Sequence, residues 1–169
     1  MRKLLDRLYD GAAALAALSM IGTLVMVLLG IAGRLLDFNV PGTDAYAGYC
    51  MAGAGFLALA HTLKRNEHIR VTLILERLGA RGHRLLELWA LGAGTLLAAL
   101  FAYYSTRLAY QSWDFHDIST SNDATPLWIP QATMALGTIV LFIAMLDELV
   151  LEWRGARLGK MPEEALHNE

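Results

Sequence analysis

The chain has 169 residues, of which 56% are hydrophobic and only 18% charged, with a formal net charge of −2. That charge content is below the usual quarter of a soluble domain, and the weak balance points to no acidic or basic macromolecular partner. The single cysteine, Cys50, excludes an internal disulfide.

Four stretches carry no Asp, Glu, Lys or Arg: 11–33, 45–63, 88–106 and 124–146. At about 1.5 Å rise per residue, each is long enough as a helix to cross a hydrocarbon core of about 30 Å. The first follows "MRKLLDRLYDG", which resembles the basic start of a secretory signal. Its apolar run is longer than such signals use, and it ends at Gly33-Arg34 without a small-x-small cleavage site, so a retained span is expected. The second span opens at Thr43 or Asp44, either of which can cap a helix, and the fourth carries Pro130 in its first turn.

The basic residues orient these spans. Arg2, Lys3, Arg7, the six from Lys64 to Arg84, and Arg154, Arg157 and Lys160 lie in alternate connections, leaving only Arg34 and Arg107 on the other side. By the positive-inside rule, both termini and the middle loop are cytoplasmic. Trp113, Trp128, Tyr46 and Tyr49 then mark the outer interface, and Trp89 and Trp153 the inner one. The expected fold is all-α and integral to the membrane. It is one domain over 1–169 with spans near 11–33, 45–63, 88–106 and 126–147, and an outer loop at 107–125.

The middle segment, 64–87, is basic but threaded with apolar residues. Val71, Ile74, Leu75 and Leu78 recur at i, i+3, i+4, i+7, while Arg70 and Arg77 share a flank; Gly79 and Gly82 then interrupt the pattern. This predicts a short amphipathic helix in the plane of the inner surface, moored by Arg65, Arg70, Arg77, Arg84 and Trp89. Arginines there gain about 1 kcal/mol each near anionic lipid.

The spans lack the ionisable groups that mark ion paths and substrate sites, and no two of them are broken in matching positions. The chain is therefore not expected to carry a solute pathway. His61 is the one imidazole in a span; an axial haem pair would need a second histidine at its depth, and none exists. No metal-ligand spacing or phosphate loop is present, and no cofactor or catalytic residue is expected. Ser19, Thr23, Gln131, Thr133 and Thr138 read as helix-bonding groups. Gly48-x-x-x-Ala52, Ala54-x-x-x-Ala58 and Gly94-x-x-x-Ala98 allow close approach of helices, within the chain or with another subunit.

Two local patterns carry a family resemblance. One is "GRLLDFNVPGTDAYAGY", with Arg34, Phe38, Asn39 and Asp44; the other is "KRNEHIRV", with Arg65, His68, Ile69 and Val71. With the four spans, the chain resembles the small membrane subunit, DctQ type, of tripartite ATP-independent periplasmic (TRAP) transporters. It differs from the family's common pattern at Thr72, where Asp is frequent. The resemblance implies a non-catalytic scaffold in the bacterial inner membrane. Its partners would be a large many-helix permease, which holds the sodium and substrate sites, and a periplasmic protein that delivers an organic acid. Asp114, Asp117 and Asp123 are the expected docking residues for that protein. A membrane anchor of a respiratory or redox complex is the alternative.

Overall fold

A computed structural model describes residues 2–38, 40–64 and 80–154. Four helices follow in order: α1 Arg2–Leu35, α2 Thr43–Lys64, α3 Ala80–Asp114 and α4 Trp128–Trp153. α1, α3 and α4 are long and apolar enough to cross a membrane. α2, with 22 residues rich in Gly and Ala, is shorter and less apolar but lies between α1 and α4.

The helices run past the uncharged stretches. α1 begins nine residues before Gly11, and α3 begins eight before Leu88 and continues to Asp114. Lys, Arg, Glu and Gln are good helix formers, so a helix does not stop where charge begins. The first half of the expected 107–125 outer loop is therefore helical. Gly82 does not interrupt a helix; it lies in the first turn of α3. The proposed in-plane face, with Val71, Ile74, Leu75 and Leu78, lies outside the described residues. So do Asn39, Arg65, His68, Ile69, Arg70 and Arg77.

α1 and α3 end the same way. At α1, the Phe38 N–H donates to the Gly33 carbonyl at 3.0 Å, with Asp37 left-handed at φ 58°. At α3, the Asp117 N–H donates to Ser112 O at 3.0 Å and the His116 N–H to Trp113 O at 3.4 Å, with His116 at φ 55°. These are Schellman closures, which satisfy carbonyls that a helix end leaves open. At Gly33 an added Cβ would stand 2.7 Å from the Phe38 carbonyl oxygen, so the chain can fold back there only over a glycine. α2 takes its first bond from the Tyr46 N–H to Gly42 O at 3.0 Å. Gly42 thus occupies the cap position, with Thr43 and Asp44 in the first turn. The loop after α3 closes on itself: Ser119 N–H donates to Thr125 O at 2.8 Å and Leu127 N–H to Asp117 O at 2.9 Å. Ala124 within it is held at φ 47°. A left-handed alanine costs roughly 1–2 kcal/mol. Ala124→Gly is expected to raise stability by about 1 kcal/mol, read by reversible unfolding in detergent.

In space the order is α1–α2–α4–α3: α2 and α4 form the centre, α1 and α3 the edges. The seams are made of small side chains. Gly53, Ala54, Leu57 and Ala60 face inward from α2; Ala135, Gly137, Thr138, Val140 and Ala144 from α4. Gly22 sits against Cys50, whose Sγ would lie 3.0 Å from an added Cβ, and Gly94 sits against Met145. The Gly94/Ala98 pattern therefore packs within the chain. Ser105 and Thr138 bring their hydroxyls to 2.8 Å across the α3–α4 seam, both buried. Phe56 and Phe101 meet edge to face at 5.7 Å. The apolar cluster proper, Tyr9, Ala12, Ala60, Val140 and Ala144, joins the first half of α1 to the second half of α2 and the middle of α4.

Most large apolar side chains face outward: Leu18, Ile21, Leu24 and Leu28 on α1, Leu96, Leu97 and Leu100 on α3. Such surface requires lipid or another subunit around it. Trp113, Trp128 and Trp153 are exposed near helix ends and Trp89 is exposed at the edge of the uncharged run of α3, as interface residues should be.

Candidate functional site

Polar side chains gather at the two ends of the layer and leave its middle to hydroxyls and small residues. At the end where α1 begins and α4 finishes, expected from the charge pattern to be the inner one, Lys64 closes α2 and reaches α4. Its Nζ pairs with Asp147 and, at 3.0 Å, with Glu148. It also lies 5.3 Å from the centroid of the Tyr9 ring on α1. The three charged side chains are only 19%, 26% and 13% exposed, so one ammonium joins three helices in a region mostly shut to water. Tyr9 is buried, and its hydroxyl has no hydrogen-bond partner among the described residues. One turn beyond Glu148, Glu152 is also buried.

His61 faces this same end. Its Nδ1 is 3.9 Å from Asp10 Oδ1, which sets it against α1 at that end of the layer. Arg84, expected at lipid phosphates, donates from Nη2 to the Trp153 carbonyl at 3.3 Å. A cation at a helix C-terminus satisfies an open carbonyl and complements the dipole. Trp89 remains exposed beside it.

At the opposite end, expected from the charge pattern to be the outer one, α2 is tied to the α3–α4 loop. Tyr49 donates to Asp123 Oδ2 at 3.1 Å, and Ser119 Oγ donates to Asp123 Oδ1 at 2.8 Å. The Ser121 N–H donates to Ser119 Oγ at 3.2 Å, and the Thr125 and Tyr46 hydroxyls lie 3.0 Å apart. Tyr46 and Tyr49 pack edge to face at 6.1 Å. Gly42, at φ 82°, lies so close that an added Cβ would come within 2.6 Å of Asp123 Cβ. The two outer loops thus touch through a glycine that no other residue can replace without displacement. Asp123 is a strut in this joint, whereas Asp114 and Asp117 point outward, exposed.

Partial loss of water pushes the Asp123 carboxyl up. Hydrogen bonds from Thr125, Ser119 and Tyr49 outweigh that and hold its pKa below the ordinary 3.8. A depressed folded-state pKa stabilises the ionised joint. The contribution is complete above about pH 3.8 and is lost as pH falls through the lower folded value. Melting at about pH 6 and about pH 3 should show a larger acid loss in the wild type than in Asp123→Asn.

The midspan polar groups mostly bond to their own helices. Ser19 donates to Leu15 O at 2.9 Å, Thr23 to Ser19 O at 3.1 Å and Thr133 to Pro130 O at 2.7 Å. Gln131 keeps a buried Oε1 with no partner among the described residues. A different kind of surface lies on the outer side of α2, where Gly48, Met51, Ala52, Gly55, Phe56 and Leu59 line a shallow apolar groove. Gly48 has open space above it, and Met51 is 68% exposed. The Gly48/Ala52 pattern therefore faces away from this chain's own helices.

The family model for the DctQ component of tripartite ATP-independent periplasmic transporters matches residues 23–155. The chain belongs to the DctQ family. Among curated proteins, no relative matches. The matched region runs from the middle of α1 to the end of α4, so it includes the Asp123 joint, Lys64 with Asp147 and Glu148, and the α2–α4 and α3–α4 seams, but not Tyr9. A DctQ chain is one component of a tripartite transporter. Membership therefore implies a large permease subunit and a substrate-binding protein as partners, and it decides against the redox anchor weighed from the sequence. Arg34, Phe38 and Asp44, which carried the resemblance, meet at one place, the outer α1–α2 connection.

The joint at Asp123 and the cluster at Lys64 were beyond sequence reasoning. Lys64 and Asp147 are 83 residues apart, as are no two groups that a periodicity would link. The only available signal was that Lys64, Asp147 and Glu148 all sit at inner ends of uncharged runs.

Proposed function

We propose that this DctQ chain is the non-catalytic frame of a sodium-coupled, binding-protein-dependent transporter of organic acids. It would cross the bacterial inner membrane four times with both termini cytoplasmic, and hold the static part of a large permease whose substrate-carrying part moves. The observation that carries this reading is the layer itself: four helices side by side, joined by polar contacts at both ends, with no charged residue between them at mid-depth. A frame must resist displacement in the bilayer. Interlocked ends and a broad apolar outline suit that task, and a solute path would need polar groups in the middle.

In this reading the open α2 groove and the exposed α1 face pack against the large subunit. Asp114 and Asp117 receive the binding protein, and Arg65, Arg70 and Arg77 hold lipid phosphates. The sodium and substrate sites belong to the large subunit. The test is sodium-driven uptake by the large permease and its binding protein in liposomes, with and without this chain. Loss of uptake without it is expected; full uptake without it removes the frame role.

A further inference from the structure

The end of α1, the connection after it and the start of α2 enclose a cleft of about 380 Å³, bordered on one side by Ser121 and Asn122 of the opposite loop. That volume is within the usual range for small-ligand sites. Its walls hold one cation and two anions, Arg34, Asp37 and Asp44. Arg34 and Asp44 approach only to 3.8 Å, too far for a hydrogen bond, and their side chains are 81% and 91% exposed. None of the three makes a side-chain hydrogen bond within the described residues. The cleft is a built feature: Gly33 lets Phe38 fold onto α1, and Gly42 brings the opposite loop alongside.

Its depth is also set. The charge-free run of α1 ends at Gly33, and Leu35 and Leu36 beside the cleft are 79% and 72% exposed. Apolar surface and exposed charges of both signs, Arg34 and Asp44 only loosely paired, thus meet at one level, the outer edge of the bilayer in the membrane reading above, on which this inference rests.

We propose that this cleft binds a phosphodiester bearing a primary ammonium, the headgroup of an ethanolamine phospholipid in the outer leaflet. Arg34 presents paired N–H donors to the phosphate, aided by the N-terminus of α2. Asp37 and Asp44 accept from the ammonium, and Leu35 and Leu36 flank the acyl chains. A glycerol headgroup would add a phosphate charge beside two carboxylates without a cation to offset them. A choline headgroup keeps the cation but has no N–H to donate.

The test is native mass spectrometry of the delipidated transporter complex titrated with ethanolamine, choline and glycerol phospholipids, and with soluble glycerophosphoethanolamine. The expected result is retention of the ethanolamine lipid about tenfold better than the other two. Arg34→Gln should abolish that preference, and Asp37→Asn, in the connection outside any helix, should reduce it while leaving the melting temperature unchanged. Equal retention of all three lipids, or an unaltered preference in both variants, overturns the proposal. Binding of the soluble compound as tight as that of the lipid assigns the cleft to a soluble ligand and also overturns it. Because the readout is lipid mass, failure here is separable from failure of the frame role, which is read as uptake.

Discussion

Lys64→Met is expected to destabilise the folded chain by about 3 kcal/mol or more. The replacement keeps the length of the side chain and removes its charge. Asp147 would then lie in a mostly closed site, 26% exposed, without the ammonium that joins it to α1 and α2. Breaking one side of a buried ion pair costs about 3–5 kcal/mol, chiefly because an uncompensated charge is left behind. The loss of the stem's contact with the Tyr9 ring adds to it. Adding Asp147→Asn to Lys64→Met should recover part of the loss, since it removes the charge that Lys64 had paired. The double variant is expected to be more stable than the sum of the singles by at least about 1 kcal/mol. Equilibrium unfolding in mixed detergent measures all three. Additive effects would show that the ammonium stabilises the inner end without pairing to Asp147.

Gly137→Ala carries the second large effect, at the centre of the layer. A Cβ there would stand 2.6 Å from both the carbonyl carbon and the oxygen of Phe56, and 2.8 Å from its Cβ. Two of these three are backbone atoms, so no rotamer change relieves the overlap; α2 and α4 must separate. Overpacking of this kind costs about 1–3 kcal/mol. The neighbouring Thr138–Ser105 contact and the Phe56–Phe101 pair depend on the same spacing. Gly55→Ala is the matched control, because that glycine has open space where its Cβ would go. It should leave unfolding of the isolated chain near wild type. If Gly55 faces the large subunit as proposed, the same change should weaken assembly. A stable, normally assembling Gly137→Ala protein would show that the α2–α4 approach is looser than the structure has it.

Much of the architecture was legible. Runs without charge marked the helices because a charged side chain is costly within a bilayer, and the charged gaps between them marked the connections. Helix limits were less legible, since Arg2 to Asp10 and Ala80 to Glu87 form helix as readily in water as the apolar residues do in lipid. Gly82 misled for a related reason: one glycine weakens a helix by about 1 kcal/mol but does not end it when good helix formers surround it. Of the three outer acids grouped by sign alone, Asp123 serves the joint between loops, which its charge could not reveal.

The sequence by itself determined that this is a membrane protein of long apolar helices, that its cationic residues favour one side, and that its middle depth is free of charge. These follow from composition and spacing, because the cost of placing a charged group in lipid acts on each helix separately. Only the tertiary structure decided the order α1–α2–α4–α3, the junction of Lys64 with Asp147, Glu148 and Tyr9, and the meeting of Gly42 with Asp123. A helix that is apolar all round carries no stripe to name its neighbour. Which faces meet was settled by small residues and end-to-end polar contacts, whose partners lie far apart in the chain.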